Sequence, residues 1–129
     1  MAKKILVVDD EPDLLKVVTF RLRKLGYDII EATAGQKAIA LIQEHRPDLI
    51  LLDLRLPIMD GWEVCRRVKA DDQLKHIPII ILTASAGALN SEMTKELKAE
   101  YLLVKPFEPE KLLEIVKKLI GCMEQKRKP

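Results

Sequence analysis

The sequence predicts an α/β fold in which helices cover both faces of a five-stranded parallel sheet. Short apolar runs alternate with segments of helical periodicity along the 129 residues, which is typical of repeated β-α-β units. Two of the runs, 49–52 and 79–82, are apolar at every position, as in strands that are covered on both faces. The strand order 2-1-3-4-5 is favoured, because it buries the apolar strands and leaves the more polar second strand at an edge.

The first half of the chain contains two strands and two helices with recognisable ends. The first strand covers 4–8, and Asp10 is the predicted N-cap of the helix that follows. Gly26 ends that helix, and the second strand covers 28–32. A second helix ends before Pro47, because a residue that precedes proline avoids helical geometry.

The second half continues the same alternation. Its predicted elements are strands at 49–52, 79–82 and 101–104 and helices at 62–70, at 88–98 and from Pro109 to Gly121. The helix at 88–98 has the weakest apolar periodicity of the five. Together these units define a doubly wound, flavodoxin-like fold with five helices. We expect residues 1–121 to form one domain and 122–129 a short basic tail.

The composition fits a globular domain and argues against several classes of partner. Apolar residues make up 48% of the chain and charged residues 33%, with a net charge of only +2. This balance favours neither nucleic acid nor an anionic membrane. The first apolar run is too short for a signal peptide or a membrane span. Because Cys65 and Cys122 match no metal or redox spacing, we expect a cytoplasmic protein with reduced thiols.

Chemically active side chains follow four of the predicted strands. Asp9 and Asp10 follow the first, Asp53 the third, Thr83 the fourth and Lys105 the fifth. The carboxyl ends of parallel strands share one edge of the sheet, where ligands of open α/β folds bind. Neighbouring strands are about 4.8 Å apart, so the three aspartates meet, and their oxygen ligands favour Mg²⁺ or Mn²⁺. Asp53 is then a candidate nucleophile, and Lys105 supplies the positive charge that a phosphoryl group needs.

Five short motifs surround these side chains. They are Val7-Val8-Asp9-Asp10-Glu11-Pro12, Leu51-Leu52-Asp53-Leu54-Arg55-Leu56-Pro57, Met59-Asp60-Gly61, Leu82-Thr83-Ala84 and Lys105-Pro106-Phe107. In this order and spacing they resemble the receiver domains of two-component response regulators, including the single-domain receivers of chemotaxis. The resemblance covers residues 3 to about 121.

The resemblance implies a phosphorylation site and a metal site. Asp53 would receive a phosphoryl group from a sensor histidine kinase or from a histidine phosphotransfer protein. Asp10, Asp53 and the backbone carbonyl of Arg55 would bind Mg²⁺ directly, and Asp9 would bind it through water.

The resemblance also implies phosphoryl contacts and switch residues. Thr83 and Lys105 would contact the phosphoryl oxygens, and the Lys105-Pro106 peptide bond would be cis. The family usually has an aromatic residue three positions before the lysine, but here that position is Leu102, with Tyr101 one place earlier. One step along a strand points a side chain to the opposite face. Leu102 and Tyr101 are therefore alternative partners of Thr83 in the switch.

The leading hypothesis is a phospho-acceptor signalling switch and not an enzyme. Phosphorylation would change the surface of the fourth and fifth strands and helices, which an unidentified downstream protein would recognise. With no output segment after residue 121, we expect a stand-alone switch. Arg55 and Ser85 occupy positions that tune the lifetime of the phosphoryl group in the family.

Two other functions could use the same fold. An aspartate-nucleophile phosphohydrolase of the haloacid dehalogenase type needs a general acid two residues after the nucleophile, where this chain has Arg55. A constitutive docking module with a vestigial site is disfavoured by the complete set of five site residues.

Overall fold

Five parallel strands form a single sheet in the order β2-β1-β3-β4-β5. The computed structural model of the protein describes residues 2–56, 60–84 and 97–127. The strands are β1 (Lys4–Val8), β2 (Asp28–Ala32), β3 (Leu49–Asp53), β4 (Ile79–Thr83) and β5 (Tyr101–Val104). The helices in this part of the chain are α1 (Pro12–Lys24), α2 (Gly35–His45), α3 (Gly61–Ala70) and α4 (Pro109–Arg127). The predicted fold class and strand order are confirmed.

The helix α4 corresponds to the fifth helix predicted from the sequence. The fourth predicted helix, 88–98, lies outside the described residues except for its last two positions. Pro57 and Met59 of the predicted motifs and Ser85 lie outside them as well. None of the described helices is long and apolar enough to cross a membrane.

Neighbouring residues of each strand face opposite sides of the sheet, and this alternation produces two apolar layers. One layer combines strand residues such as Leu6 and Ile50 with the inner faces of α2 and α3. The other combines strand residues such as Ile5 and Leu51 with α1 and α4. Every position of β3 and β4 is buried, as predicted for strands that helices cover on both faces. The polar residues at the ends of β3 and β4 therefore follow strands that are held in place by packing on both faces of the sheet.

The register of the sheet aligns the carboxyl ends of neighbouring strands. Asp53 is paired with Leu82, and Thr83 is paired with Val104. β3 and β4 each extend one residue beyond the predicted end, because strand pairing uses backbone groups whatever the side chain is. The functional side chains at all four strand ends therefore emerge from the same edge.

The start of α1 differs from the prediction. Its N-cap is Glu11, which has an extended backbone and makes no side-chain capping bond. The carboxylate of Asp9 accepts a hydrogen bond from the Glu11 backbone N–H at 2.9 Å. The prediction that Asp10 caps the helix is wrong, because Pro12 takes the first helical position and so places the cap at the residue before it.

The end of the last helix also differs from the prediction. α4 continues past Gly121 as far as Arg127, so residues 122–127 extend the helix. A Cβ atom added at Gly121 would meet no atom within 4 Å, so this glycine marks no close approach of two segments. A single glycine inside a helix costs only about 1 kcal/mol relative to alanine, which the rest of a long helix can offset. The glycine was therefore a poor signal for the helix end.

Candidate functional site

Three aspartates converge at the carboxyl edge of the sheet. Asp9 and Asp10 follow β1, and Asp53 ends the neighbouring strand β3. Each of the three carboxylates has an oxygen atom within 4.8 Å of the other two. Asp9 and Asp53 are buried, with 0% and 3% of their surface exposed, whereas Asp10 is exposed. The structure thus brings together the three acids that the sequence singles out, in a pocket that is open on the Asp10 side.

Lys105 reaches this acidic group from the end of β5, which lies two strands away from β3. The Lys105-Pro106 peptide bond is cis, as the resemblance implies. The Lys105 Nζ atom donates to Asp9 Oδ2 at 2.9 Å, to Asp53 Oδ2 at 3.1 Å and to Glu11 Oε1 at 2.9 Å. An ammonium group has three N–H donors, and these three carboxylates use all of them.

Glu11 is the member of this group that the sequence analysis did not anticipate. In the sequence, Glu11 stands out only as part of the first motif, next to the two aspartates. In the structure its side chain is 59% exposed, whereas the Lys105 side chain that it contacts is only 12% exposed. A third acid directly after two aspartates is the one sequence signal that could have suggested it. Which acid meets Lys105 depends on the path of the lysine side chain across the strand ends.

Backbone groups orient the two buried carboxylates. Asp53 Oδ1 accepts a hydrogen bond from the Arg55 backbone N–H at 3.0 Å, and Asp9 Oδ1 accepts one from the Glu11 backbone N–H. The second oxygen of each carboxylate accepts from Lys105. Within the described ranges, no buried side-chain nitrogen or oxygen lacks a hydrogen-bond partner. Both carboxylates are therefore held in one orientation by a backbone donor and the ammonium group together.

Burial and charge pairing act in opposite directions on the buried charges. Burial raises the pKa of Asp9, and the Asp53 carboxylate raises it further; the Glu11 N–H and Lys105 lower it, but the net shift is upward. Burial by itself would lower the pKa of Lys105, but its hydrogen bonds to the three carboxylates hold the pKa well above its ordinary value. Lys105 therefore stays charged at neutral pH. A further cation in the pocket would lower the cost of keeping Asp9 charged.

The chemistry of these ligands suits a divalent cation that prefers oxygen. The group that could hold a metal consists of Asp9, Asp10 and Asp53, with neither histidine nor cysteine among its members. Carboxylate oxygens are the ligands that Mg²⁺ and Mn²⁺ prefer, and Mg²⁺ usually takes only one or two of them and keeps several waters. The residues present therefore fit the metal that the resemblance implies.

Gly61 allows α3 to begin directly against the end of β3. A Cβ atom at this position would collide with the carbonyl oxygen of Asp53 and would lie 2.7 Å from the Leu54 Cα atom. The Gly61 N–H donates to the Leu54 carbonyl oxygen at 3.1 Å, and the Asp60 side chain caps α3 by accepting from the Glu63 N–H at 3.0 Å. The sequence identifies this glycine only by resemblance, and the structure supplies the steric reason for it.

The candidate switch residues lie on β4 and β5. Thr83 ends β4, is buried, and accepts a hydrogen bond at its carbonyl oxygen from the Lys105 N–H at 2.6 Å. Leu102 is half-buried against the apolar layer beneath α2 and α3. Tyr101 is 39% exposed and lines a groove beside α4. The pairing of β4 with β5 is regular from Tyr101 to Val104, so no bulge reverses the two side chains.

Comparison with known proteins points to a single family. The family model of the response regulator receiver domain matches residues 5–117. The chain is similar to the chemotaxis response regulator CheY4 of Vibrio cholerae, with 34% identity and a TM-score of 0.85 over 92% of this chain and 99% of that one. A signal transduction histidine kinase of Syntrophus aciditrophicus has a receiver domain that is 31% identical, with a TM-score of 0.89 over 99% of this chain and 96% of that one.

A third similar structure contains a metal. It is the receiver domain of a sensor histidine kinase of Pseudomonas aeruginosa, with a magnesium ion coordinated in its active-site cleft. It is 34% identical to this chain, with a TM-score of 0.85 over 94% of this chain and 99% of that one. The region matched by the family model includes the three aspartates and Lys105. The chain therefore belongs to the response regulator receiver domain family.

Proposed function

We propose that the chain is a phospho-acceptor switch of a two-component system and that Asp53 is its phosphorylated residue. Membership of a family of regulatory phospho-acceptor domains supports the general role. One observation carries the choice of residue, and it is the position of Asp53. This residue ends β3, between β1, which the other two aspartates follow, and β4, which ends in Thr83, and its Oδ2 atom lies 3.1 Å from the Lys105 Nζ atom. The proposed donor is the phosphohistidine of a sensor histidine kinase or of a histidine phosphotransfer protein.

In the proposed reaction, a carboxylate oxygen of Asp53 attacks the phosphorus atom of the donor. The new O–P bond forms while the P–N bond to the donor imidazole breaks. The imidazole nitrogen keeps the electron pair of that bond and takes up a proton. The product is an acyl phosphate, whose phosphoryl oxygens carry negative charge close to Lys105. Lys105 stabilises that charge, and the Thr83 hydroxyl donates a hydrogen bond to a phosphoryl oxygen.

Mg²⁺ or Mn²⁺ is the proposed cofactor of this reaction. We assign Asp10, Asp53 and the Arg55 carbonyl oxygen as direct ligands and Asp9 as a ligand through water. When bound, the cation supplies positive charge that offsets the charge of the phosphoryl oxygens. Asp9 has a second role, because its Oδ2 atom holds the Lys105 ammonium group at 2.9 Å beside Asp53.

The proposed output surface is formed by β4, β5, α4 and the helix that the sequence predicts at 88–98. Thr83 and Lys105 stand at the ends of these two strands, so their contacts with a phosphoryl group act on both strands together. Leu102 would respond to movement of Thr83 by repacking in its apolar layer. Tyr101 opens onto a groove of about 480 Å³ that is also lined by Ile115 and other residues of α4. A downstream protein would recognise the changed surface.

Labelling with acetyl phosphate and Mg²⁺ tests the proposal before the natural donor is known. Intact-mass measurement should show one added phosphoryl group on the wild-type protein and none on Asp53→Asn. Asp72→Asn is the matched control, because Asp72 is an exposed carboxylate outside the acidic pocket. Labelling of Asp53→Asn at the wild-type rate would contradict the assignment.

Two further outcomes would favour the other functions. Sustained hydrolysis of phosphate monoesters over many turnovers would indicate a phosphohydrolase. Failure of the wild-type protein to accept a phosphoryl group from acetyl phosphate and from a panel of autophosphorylated kinases would indicate a docking module with a vestigial site. Removal of the divalent cation by a chelator should abolish labelling if the proposal is correct.

A further inference from the structure

Lys105 must release a partner before it can contact a phosphoryl group. Its three N–H donors are directed to Asp9, Glu11 and Asp53, at distances between 2.9 and 3.1 Å. A lysine ammonium group has no fourth donor. A phosphoryl oxygen of an incoming donor, which arrives while Asp53 is still a carboxylate, can therefore be bound only in exchange for one of these contacts.

Glu11 is the partner that can be released at the lowest cost. Its side chain is 59% exposed, so water can hydrate the Glu11 carboxylate as soon as the Lys105 ammonium group leaves it. The Asp9 and Asp53 side chains are only 0% and 5% exposed. Release of a buried carboxylate from its cation leaves an unpaired charge in a poorly hydrated place, which is far more costly. Exchange at Glu11 is therefore favoured.

The backbone holds Glu11 in position for this contact. Its N–H donates to Asp9 Oδ1 at 2.9 Å, and its carbonyl oxygen accepts from the Leu15 N–H at 3.1 Å. Glu11 and Lys105 also line an open groove of about 450 Å³ together with Leu14 and other residues. The backbone of Glu11 is thus held in place, while its side chain has open space into which it can rotate.

We propose that Glu11 is a positioning residue that restrains Lys105 on the α1 side of the pocket and thereby slows phosphorylation of Asp53. In the resting protein its carboxylate competes with an incoming phosphoryl oxygen for the ammonium group. This inference rests on the proposed function, because it concerns the rate at which Asp53 is phosphorylated.

The substitution Glu11→Gln tests the inference, because it removes the charge and keeps the size and an acceptor oxygen. The rate of labelling by sub-saturating acetyl phosphate should rise about fivefold, which corresponds to about 1 kcal/mol, because an ammonium group is held less tightly by a neutral amide oxygen than by a carboxylate. Asp13→Asn is the matched control. Asp13 lies in the first turn of α1 and is exposed, and it is not among the three partners of Lys105.

Two additional readouts separate the contact from the general charge of the surface. The acceleration by Glu11→Gln should persist at high ionic strength, where interactions between distant exposed charges are screened. It should disappear in the Lys105→Met background, because the restrained group is then missing. A structural role of Glu11 in α1 would predict neither result.

The outcomes distinguish the inference from the proposed function. A wild-type protein that is labelled at Asp53, with a Glu11→Gln variant no faster than wild type, would refute the role of Glu11 alone. An equal acceleration by Asp13→Asn would refute it too, because the effect would then be one of net charge. If the wild-type protein cannot be labelled at Asp53, the proposed function fails and the inference fails with it.

Discussion

The contact between α3 and the end of β3 leads to a prediction in which one methyl group has opposite effects at two positions. A Cβ atom at Gly61 would collide with the Asp53 carbonyl oxygen, lie 2.7 Å from the Leu54 Cα atom and lie 3.0 Å from the Asp53 carbonyl carbon. All three neighbours are backbone atoms, so no side chain can rotate away to make room. Gly61→Ala must therefore shift α3 or the end of β3.

The magnitude follows from this geometry. Extra atoms in a packed region cost up to about 3 kcal/mol when the backbone has to move, and we expect Gly61→Ala to lower the free energy of unfolding by about that amount. At Gly121, an added Cβ atom meets nothing within 4 Å and the residue lies inside α4. Gly121→Ala should therefore raise the free energy of unfolding by about 0.5–1 kcal/mol, the usual gain for this exchange within a helix.

Urea denaturation followed by circular dichroism measures both changes, since small domains usually unfold in one cooperative step. Labelling by acetyl phosphate gives a second readout, because the shift caused by Gly61→Ala involves the backbone of Asp53. We expect that rate to fall about tenfold or more. If the free energy of unfolding of Gly61→Ala lies within about 0.5 kcal/mol of the wild-type value, or if it equals that of Gly121→Ala, the folded protein does not have this close approach between α3 and β3.

Two further predictions concern the charges of the pocket in metal-free buffer. Lys105→Met should lower the free energy of unfolding at pH 7 by about 3 kcal/mol, because it leaves buried carboxylates without their cation. The exposed control Lys111→Met should change it by less than about 0.5 kcal/mol, and equal effects of the two substitutions would contradict the ion pairing. Asp9→Asn should raise the free energy of unfolding at pH 7. The raised pKa of Asp9 means that the folded protein binds its proton more tightly than the unfolded chain does, so the charged carboxylate destabilises the fold at pH 7, and asparagine removes that charge. In the wild type, the stability that this proton contributes is complete below the pKa of the unfolded chain and is lost as the pH rises through the pKa of the folded protein. Urea titrations should therefore show that the advantage of Asp9→Asn over the wild type shrinks as the pH falls towards about 4. An advantage that does not depend on pH would rule out this cause.

Strand positions could be predicted closely because four of the five strands consist largely of an apolar run between polar or turn-forming residues. Both central strands nevertheless extend by one residue, to Asp53 and Thr83. Apolar patterning stops at the first polar side chain, whereas backbone pairing continues until the chain turns away. The end of the last helix was predicted wrongly at Gly121 for a related reason. A residue type that is common at helix ends does not stop a helix whose neighbouring residues favour continuation.

The sequence by itself determined which side chains stand at the strand ends, since strand order and the common edge of parallel strands follow from local apolar patterns. From these patterns alone, Asp9, Asp10 and Asp53 could be expected to meet. Only the tertiary structure decided that Glu11 is the third partner of Lys105. It also decided that Gly61 has to lack a side chain. The physical reason is that both facts depend on distances between different segments of the chain, which are set by how loops and helices pack and not by the periodicity of any one segment.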